Sequence, residues 1–341
     1  MLTSIQISNF RGIASGAPLK LAPLTILLGP NGSGKSAILD ALLIGSSPKP
    51  GEAVGRAVSR HGLKDSARWL IRRAEPDTEA RIDISVSGAA RRTMLRFSDE
   101  NHIGVQNHPG PYGTVEVHVS DVDRGPEGVL ATGKVHFAYD DFSVPEDLSV
   151  ASGFSRPVRL IDSFQPYDAG TLAHNYDTLL NAGSADSINA LLAKLVPNGR
   201  ELRVGVDAAL HPTLKVLFEG NRGAVPLGLA GDGVKLAVRA SMELAASHDG
   251  VVLFEEPDAH LHPAAIWLVA KAMVEAVRGG VQVILSTHSL ELVDALIAES
   301  VDDLSRLAVL RTRLQEGELV TSRTAGEDAR HARVDMEEDL R

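Results

Sequence analysis

The chain reads Leu24-Thr25-Ile26-Leu27-Leu28-Gly29-Pro30-Asn31-Gly32-Ser33-Gly34-Lys35-Ser36-Ala37-Ile38-Leu39-Asp40-Ala41-Leu42-Leu43 near its start. The apolar run 24–28 has a β-branched centre and stops at Gly-Pro, which predicts a buried strand followed by a turn. From Ser36 the apolar positions Ile38, Leu39, Leu42 and Leu43 recur at helical spacing. Between strand and helix, Gly29–Ser36 matches G-x-x-x-x-G-K-[ST] in full. Glycines let the backbone curl so that successive N–H groups of Asn31, Gly32, Ser33, Gly34, Lys35, Ser36 and Ala37 face phosphates, with a helix starting beneath them. Lys35 would reach the β- and γ-phosphates of ATP, and the Ser36 hydroxyl would ligate Mg²⁺. The strand–loop–helix context predicts an α/β P-loop NTPase.

A second stretch of the same character spans 231–296. It alternates a helix (234–247), the run Val251-Val252-Leu253-Phe254, a helix from Pro263, the run Val281–Leu285 and a further helix, the pattern of a parallel sheet covered by helices. The first of these apolar strands ends in Glu255-Glu256-Pro257. Strand ends gather at one edge of such a sheet, so Glu255 would hold the Mg²⁺ hydration shell and Glu256 would orient the attacking water. The second ends at Ser286-Thr287-His288, where His288 could contact the γ-phosphate. His260 and His262 invite a zinc reading, but their i,i+2 spacing shares no helix face and no HExxH is present.

The middle of the chain differs. Segments 80–87, 91–97, 114–119 and 129–138 alternate as strands, 169–195 reads as helix, and 201–227 as further strands. The resulting expectation is a nucleotide-binding head built from 1–75 and 226–315, a mixed α/β insertion over 76–225, and an acidic C-terminal tail at 316–341. That tail holds eight acids and four bases, and the net charge of the whole chain is −10. The balance argues against a protein that coats nucleic acid over its whole surface. There are no cysteines, which removes disulfides, thiolate nucleophiles and Cys-ligated metals. No apolar run approaches the ~20 residues that span a bilayer, and Met1–Gln6 lacks signal-peptide character, so a cytoplasmic protein with no membrane partner is expected. No internal repeat or sustained heptad stretch exists.

Glu255-Glu256-Pro257-Asp258-Ala259-His260-Leu261-His262-Pro263, taken with the phosphate loop and Ser286-Thr287-His288, resembles the ABC-class ATPases of the OLD, RecF and SMC-like group. The opening Ile5-Gln6-Ile7-Ser8-Asn9-Phe10-Arg11-Gly12 and Leu39-Asp40-Ala41-Leu42 are similar as well. The resemblance covers residues 1–45 and 226–296. It implies an ABC ATPase head in which two nucleotides are held between two subunits, each closed by a signature loop of the partner. Here that loop would be Leu229-Ala230-Gly231-Asp232-Gly233-Val234-Lys235, with Gly231 standing where transporters carry a serine. The lost hydroxyl implies weak or partner-stimulated turnover. By the same resemblance Arg11 would approach the nucleotide, Asp258 would lie on the dimer seam, and Gln165, after the apolar 158–161 run, would be the glutamine that joins Mg²⁺ to the insertion.

Full OLD nucleases carry a Toprim domain, and the residues after His288 are too few for one; Asp121-Val122-Asp123 reads as an acidic turn. The chain is therefore expected to act with a separate effector or nuclease. Arg56, Arg60, Lys64, Arg68 and Arg72 recur every four residues, with Arg73 following, and would form a basic stripe for DNA if helical. The leading expectation is an ATP-dependent dimeric switch for a DNA transaction or an effector, of the bacterial defence or repair type. A nucleotide-gated scaffold with little turnover and a transporter's nucleotide-binding subunit are the alternatives.

Overall fold

A computed structural model describes the chain except for residues 62–66, 76, 87, 99–112, 139–140, 146, 163–168 and 221–222. The chain opens with β1 (Leu2–Ser8), β2 (Ser15–Gly16), β3 (Leu19–Lys20) and β4 (Leu24–Leu28), then α1 (Lys35–Ser46) and α2 (Pro50–Ser59). An antiparallel series follows: β5 (Glu79–Val86), β6 (Ala89–Ser98), β7 (Gly113–Asp121), β8 (Val129–Ala138) and β9 (Asp141–Ser143). Next come β10 (Val158–Asp162), α3 (Ala169–Asn181), α4 (Asp186–Leu195), β11 (Gly199–Val206), β12 (Pro212–Phe218) and β13 (Ala224–Pro226). The last third runs α5 (Asp232–Ala245), β14 (Val251–Glu255), α6 (Pro263–Arg278), β15 (Gln282–Thr287), α7 (Leu290–Glu299), β16 (Leu307–Gln315), β17 (Glu318–Ala325) and α8 (Gly326–Arg330).

The central sheet has the order β10-β14-β15-β4-β16-β17-β2, with the first five strands parallel. Every residue of β4 and β15 is buried, as strands covered on both faces require. On one face α5, α6 and α7 pack over Ile26, Val252 and Phe254. On the other lies α1, followed by a second sheet of order β3-β1-β5-β6-β7-β8-β9. Because α1 is pressed between two sheets it is buried nearly all round, with no face turned to water. The approach is close enough that a Cβ on Gly45 would stand 2.4 Å from Ile84 Cδ1. The small sheet β11-β12-β13 packs with α3, α4 and α5 into a third apolar cluster.

The α/β fold is as the sequence reading has it, but two of the expected boundaries are not. Residues 76–225 do not form one inserted unit. β5 pairs with β1 of the N-terminal segment, and β10 joins the central sheet beside β14 in parallel register, Asp162 opposite Glu255. Residues 316–341 are no free acidic tail either. β17 pairs with β16 along its whole length, Leu319 and Leu340 are buried, and Arg333 forms a two-pronged bond to Asp294 at 2.7 and 2.8 Å. Net charge averages over the alternation that makes this segment a strand.

Arg91, from β6, ties the second sheet to the C-terminal end of α1. Its fully buried guanidinium donates to the carbonyls of Ser47 (2.7 Å), Ile44 (3.3 Å) and Phe154 (3.3 Å), and burial pushes its pKa down to about 9. Replacing it strands buried carbonyls without donors. Arg91→Met is expected to lower stability by about 3 kcal/mol in chemical denaturation; an unchanged midpoint would show that the strut does not matter.

Candidate functional site

The C-terminal ends of β4, β14, β15 and β10 converge on one edge of the central sheet, where open α/β sheets carry their ligand sites. Between β4 and α1, Gly32 and Gly34 hold φ of 75° and 93°, a region that glycine enters without cost. Gly29 is needed for a different reason: a Cβ there would lie 2.4 Å from the Thr312 carbonyl oxygen of β16. The Ser33 and Thr312 hydroxyls, 2.9 Å apart, fasten the loop to the same strand. α1 then starts at Lys35, and Gly34 before it supplies no side-chain cap. The first N–H groups of that helix, with the positive end of its dipole, therefore face the cleft as an anion cradle.

Lys35 reaches back over this loop. Its Nζ donates to the carbonyls of Gly29 (2.8 Å) and Pro30 (3.0 Å) and lies 3.0 Å from His288 Nε2. His288 Nε2 in turn is 3.3 Å from Glu256 Oε1. Burial pushes the Lys35 ammonium below the usual lysine value, while the carboxylates of Glu256 and Glu255 oppose that shift. Glu256 follows the end of β14 with φ 48°, an unfavourable region for this side chain, held by its N–H donating to the Ser286 carbonyl at 3.0 Å. The resulting cleft encloses about 250 Å³ and is lined by Arg11, Asn31, Lys35, Ser36, Glu256 and His288 among others. Gly32, Ser33, Gly34 and Ala37 also line it. An uncapped helix terminus, a buried ammonium and an arginine at one cleft fit a polyphosphate. Ser36 at its edge offers a hard oxygen of the kind that Mg²⁺ takes.

The remaining expected residues fall elsewhere. Glu255 sits at the end of β14, but its carboxylate is bonded to Arg60, and Asp162 and Asp40 complete that cluster. Arg60 is therefore no part of a DNA-binding stripe: α2 ends at Ser59, and the Arg60 side chain turns inward, 3% exposed. Arg56 and Arg68 are exposed, Arg68 lying over the Trp69 ring at 5.7 Å, while Arg72 is half-buried against Gly317. Lys64 and Gln165 lie outside the described residues. Gly231, Asp232 and Gly233 open α5 away from the cleft lining. There Asp232 pairs with Lys235 at 2.6 Å, which holds its carboxyl below the usual range. A Cβ on Gly233 would lie 2.8 Å from the His260 carbonyl oxygen, so this turn abuts the segment after Glu256. Asp258 accepts from the Thr287 hydroxyl at 2.6 Å, and the His262 ring caps α6.

Sequence reading missed Asp40, Asp162 and Thr312 as site residues. Asp40 was visible as the one acid inside the apolar run 37–44. Thr312 carries no local signal, because its role depends on β16 lying beside β4.

This architecture is that of an ABC-type P-loop ATPase domain. The chain belongs to the family described as "AAA domain, putative AbiEii toxin, Type IV TA system", which matches residues 24–294. It is similar to an ATP/GTP phosphatase of Helicobacter pylori, 21% identical over 359 residues and covering 95% of each chain. An uncharacterized protein of Methanocaldococcus jannaschii, MJECL11, is 28% identical over 112 residues, 33% of this chain and 98% of that one. Among solved structures, an SMC head bound to the C-terminal winged-helix domain of ScpA aligns with a TM-score of 0.56 at 16% identity, covering 96% of this chain and 99% of that one. The Pyrococcus furiosus SMC head bound to the C-terminal domain of ScpA gives 0.53 at 14%, covering 99% of each. Among the described residues no helix is long and apolar enough to cross a membrane.

The packing of the loop on β16 sets a direct expectation. Gly29→Ala forces a methyl against backbone and is expected to cost about 2 kcal/mol of stability in urea unfolding; no loss would show that the loop yields freely.

Proposed function

We propose that this chain binds ATP with Mg²⁺ and hydrolyses it. The observation that carries the reading is the chain of contacts Lys35–His288–Glu256 laid over the uncapped N-terminus of α1. In this reading the N–H groups of 31–37 and Lys35 hold the β- and γ-phosphates, with Arg11 at the rim of the same cleft. Ser36 and Glu255, with Gln165, hold Mg²⁺, which when bound neutralises charge on the phosphate oxygens. Glu256 orients a water and takes its proton as the oxygen attacks the γ-phosphorus and the bond to the β-phosphate oxygen breaks. His288, already within reach of Lys35 and Glu256, reports the presence of the γ-phosphate to both.

We further infer a dimer. Gly231–Gly233 lie outside their own chain's cleft yet open a helix whose uncapped N-terminus suits a phosphate, as expected if each subunit closes its partner's site. The ATP-bound dimer would act as a cytoplasmic switch for an effector or a DNA transaction, of the OLD-like defence or repair kind. With Arg60 buried, a DNA contact in the 56–72 run reduces to Arg56, Arg68 and Lys64, with Arg72 at its edge. The missing signature serine favours a second reading, a nucleotide-gated scaffold with slow turnover.

Phosphate release separates these. Lys35→Ala is expected to abolish ATP-dependent phosphate release, and Glu256→Gln to slow it by about 100-fold or more while leaving ATP binding intact. Equal rates for wild type and Glu256→Gln would contradict the hydrolytic assignment. Light scattering of Glu256→Gln with saturating ATP and Mg²⁺ is expected to report a dimer; a monomer under those conditions would contradict the two-subunit site.

A further inference from the structure

Arg60 is wrapped by three carboxylates drawn from three distant parts of the chain. Its Nη2 bonds Glu255 Oε2 on β14, its Nη1 lies 3.4 Å from Asp162 Oδ2 on β10, and its Nε lies 3.1 Å from Asp40 Oδ1 on α1. Asp40 is fully buried and serves a second cation: its Oδ2 bonds Arg11, which lines the phosphate cleft, and lies 3.2 Å from His61 Nε2. Three carboxylates thus share two guanidinium groups, and Arg11 and Arg60 meet on the same aspartate.

The sharing is incomplete in one place. Among the described residues Asp40 Oδ1 is buried without a hydrogen bond: Arg60 Nε lies 3.1 Å away, but its N–H is not aimed at that oxygen. A buried carboxylate oxygen without a donor is costly, so Asp40 is poised to take Arg60 more fully. What holds Arg60 back is its bond to Glu255. What competes for Asp40 is Arg11.

We propose that Arg11, Asp40, Arg60 and Glu255 form an ion-pair relay that changes partners when nucleotide binds. Phosphate oxygens in the cleft draw Arg11 off Asp40. Asp40 then accepts Arg60 squarely, with Asp162 as its second partner, and Glu255 is released to the divalent ion. Arg60 is a positioning residue here: it is the resident counter-ion of Glu255, occupying the carboxylate that Mg²⁺ would take. Anion and divalent ion then favour each other's binding through the protein as well as by direct contact. This inference rests on the assignment of Glu255 to Mg²⁺.

The test is a Mg²⁺ titration of the thermal stabilisation given by a non-hydrolysable ATP analogue, with a companion measurement in EDTA. Arg60→Gln removes the resident cation and is expected to lower the Mg²⁺ midpoint several-fold, while analogue binding in EDTA weakens because Arg11 then leaves an Asp40 with no second guanidinium to take its place. Asp40→Asn weakens the acceptor that takes Arg60 away and is expected to raise the midpoint. A purely structural role would not move the two variants in opposite directions. Arg60→Lys reaches fewer acids and is expected to shift the midpoint the same way by less, which preserves the test if the glutamine variant does not fold. An unchanged or raised midpoint in the Arg60 variants overturns the relay. Glu255→Gln separates the two claims: if it leaves the midpoint at the wild-type value, the Mg²⁺ assignment of Glu255 fails; if it raises the midpoint while Arg60→Gln does not lower it, the assignment stands and the relay falls.

Discussion

The burial of α1 between two sheets is the constraint from which the candidate site follows. Eleven of its twelve residues are buried, so the helix has no freedom to tilt or slide. Its apolar sides are gripped by Ile82 and Ile84 on one flank and by Leu27, Leu253 and Ile284 on the other. A helix held this firmly presents its N-terminus at one fixed place, the edge where β4, β14 and β15 end. The unfilled N–H groups of its first turn then become a permanent local charge, and Lys35, His288 and Glu256 are arranged around it. Arg91 fixes the other end of the same helix by satisfying its last carbonyls. One element thus joins the apolar core to the anion cradle.

The features legible in the sequence were those written contiguously. A strand, a glycine loop and the start of a helix occupy 24–43 without interruption, and Glu255–Pro257 and Ser286–His288 each follow directly on an apolar run. The antiparallel strands between 79 and 138 were legible too, because period-two alternation is a local signal. What was not legible depends on pieces of chain that meet only after folding. The bonds from Arg60 to Asp162 and Glu255 cross 102 and 195 residues. A spacing of four placed Arg60 on the outer stripe of a helix, but the helix ends one residue earlier, and a charge surrounded by three acids is stable inside. The acidic terminal segment misled for a similar reason. Its charged side chains are exposed or half-buried, while Leu319 and Leu340 anchor it to the core.

The comparisons and the geometry address different questions. Likeness to SMC heads at 14–16% identity establishes the fold, and the family match places the chain among AAA domains. Neither says what the site does. That reading comes from distances: a lysine folded onto its own loop, a histidine between that lysine and a carboxylate, and a second carboxylate held by an arginine. The last of these separates this site from a generic phosphate loop. It places an arginine on the carboxylate that the proposed function assigns to the divalent ion.

A crystal structure with Mg²⁺ and a non-hydrolysable ATP analogue tests most directly whether the N-terminus of α1 holds the phosphates. The phosphates are expected over the N-terminus of α1, within hydrogen-bond reach of Lys35 and His288, with the metal beside Ser36. Phosphates seated away from Gly29–Ser36, or a metal distant from Ser36 and Glu255, would contradict that placement.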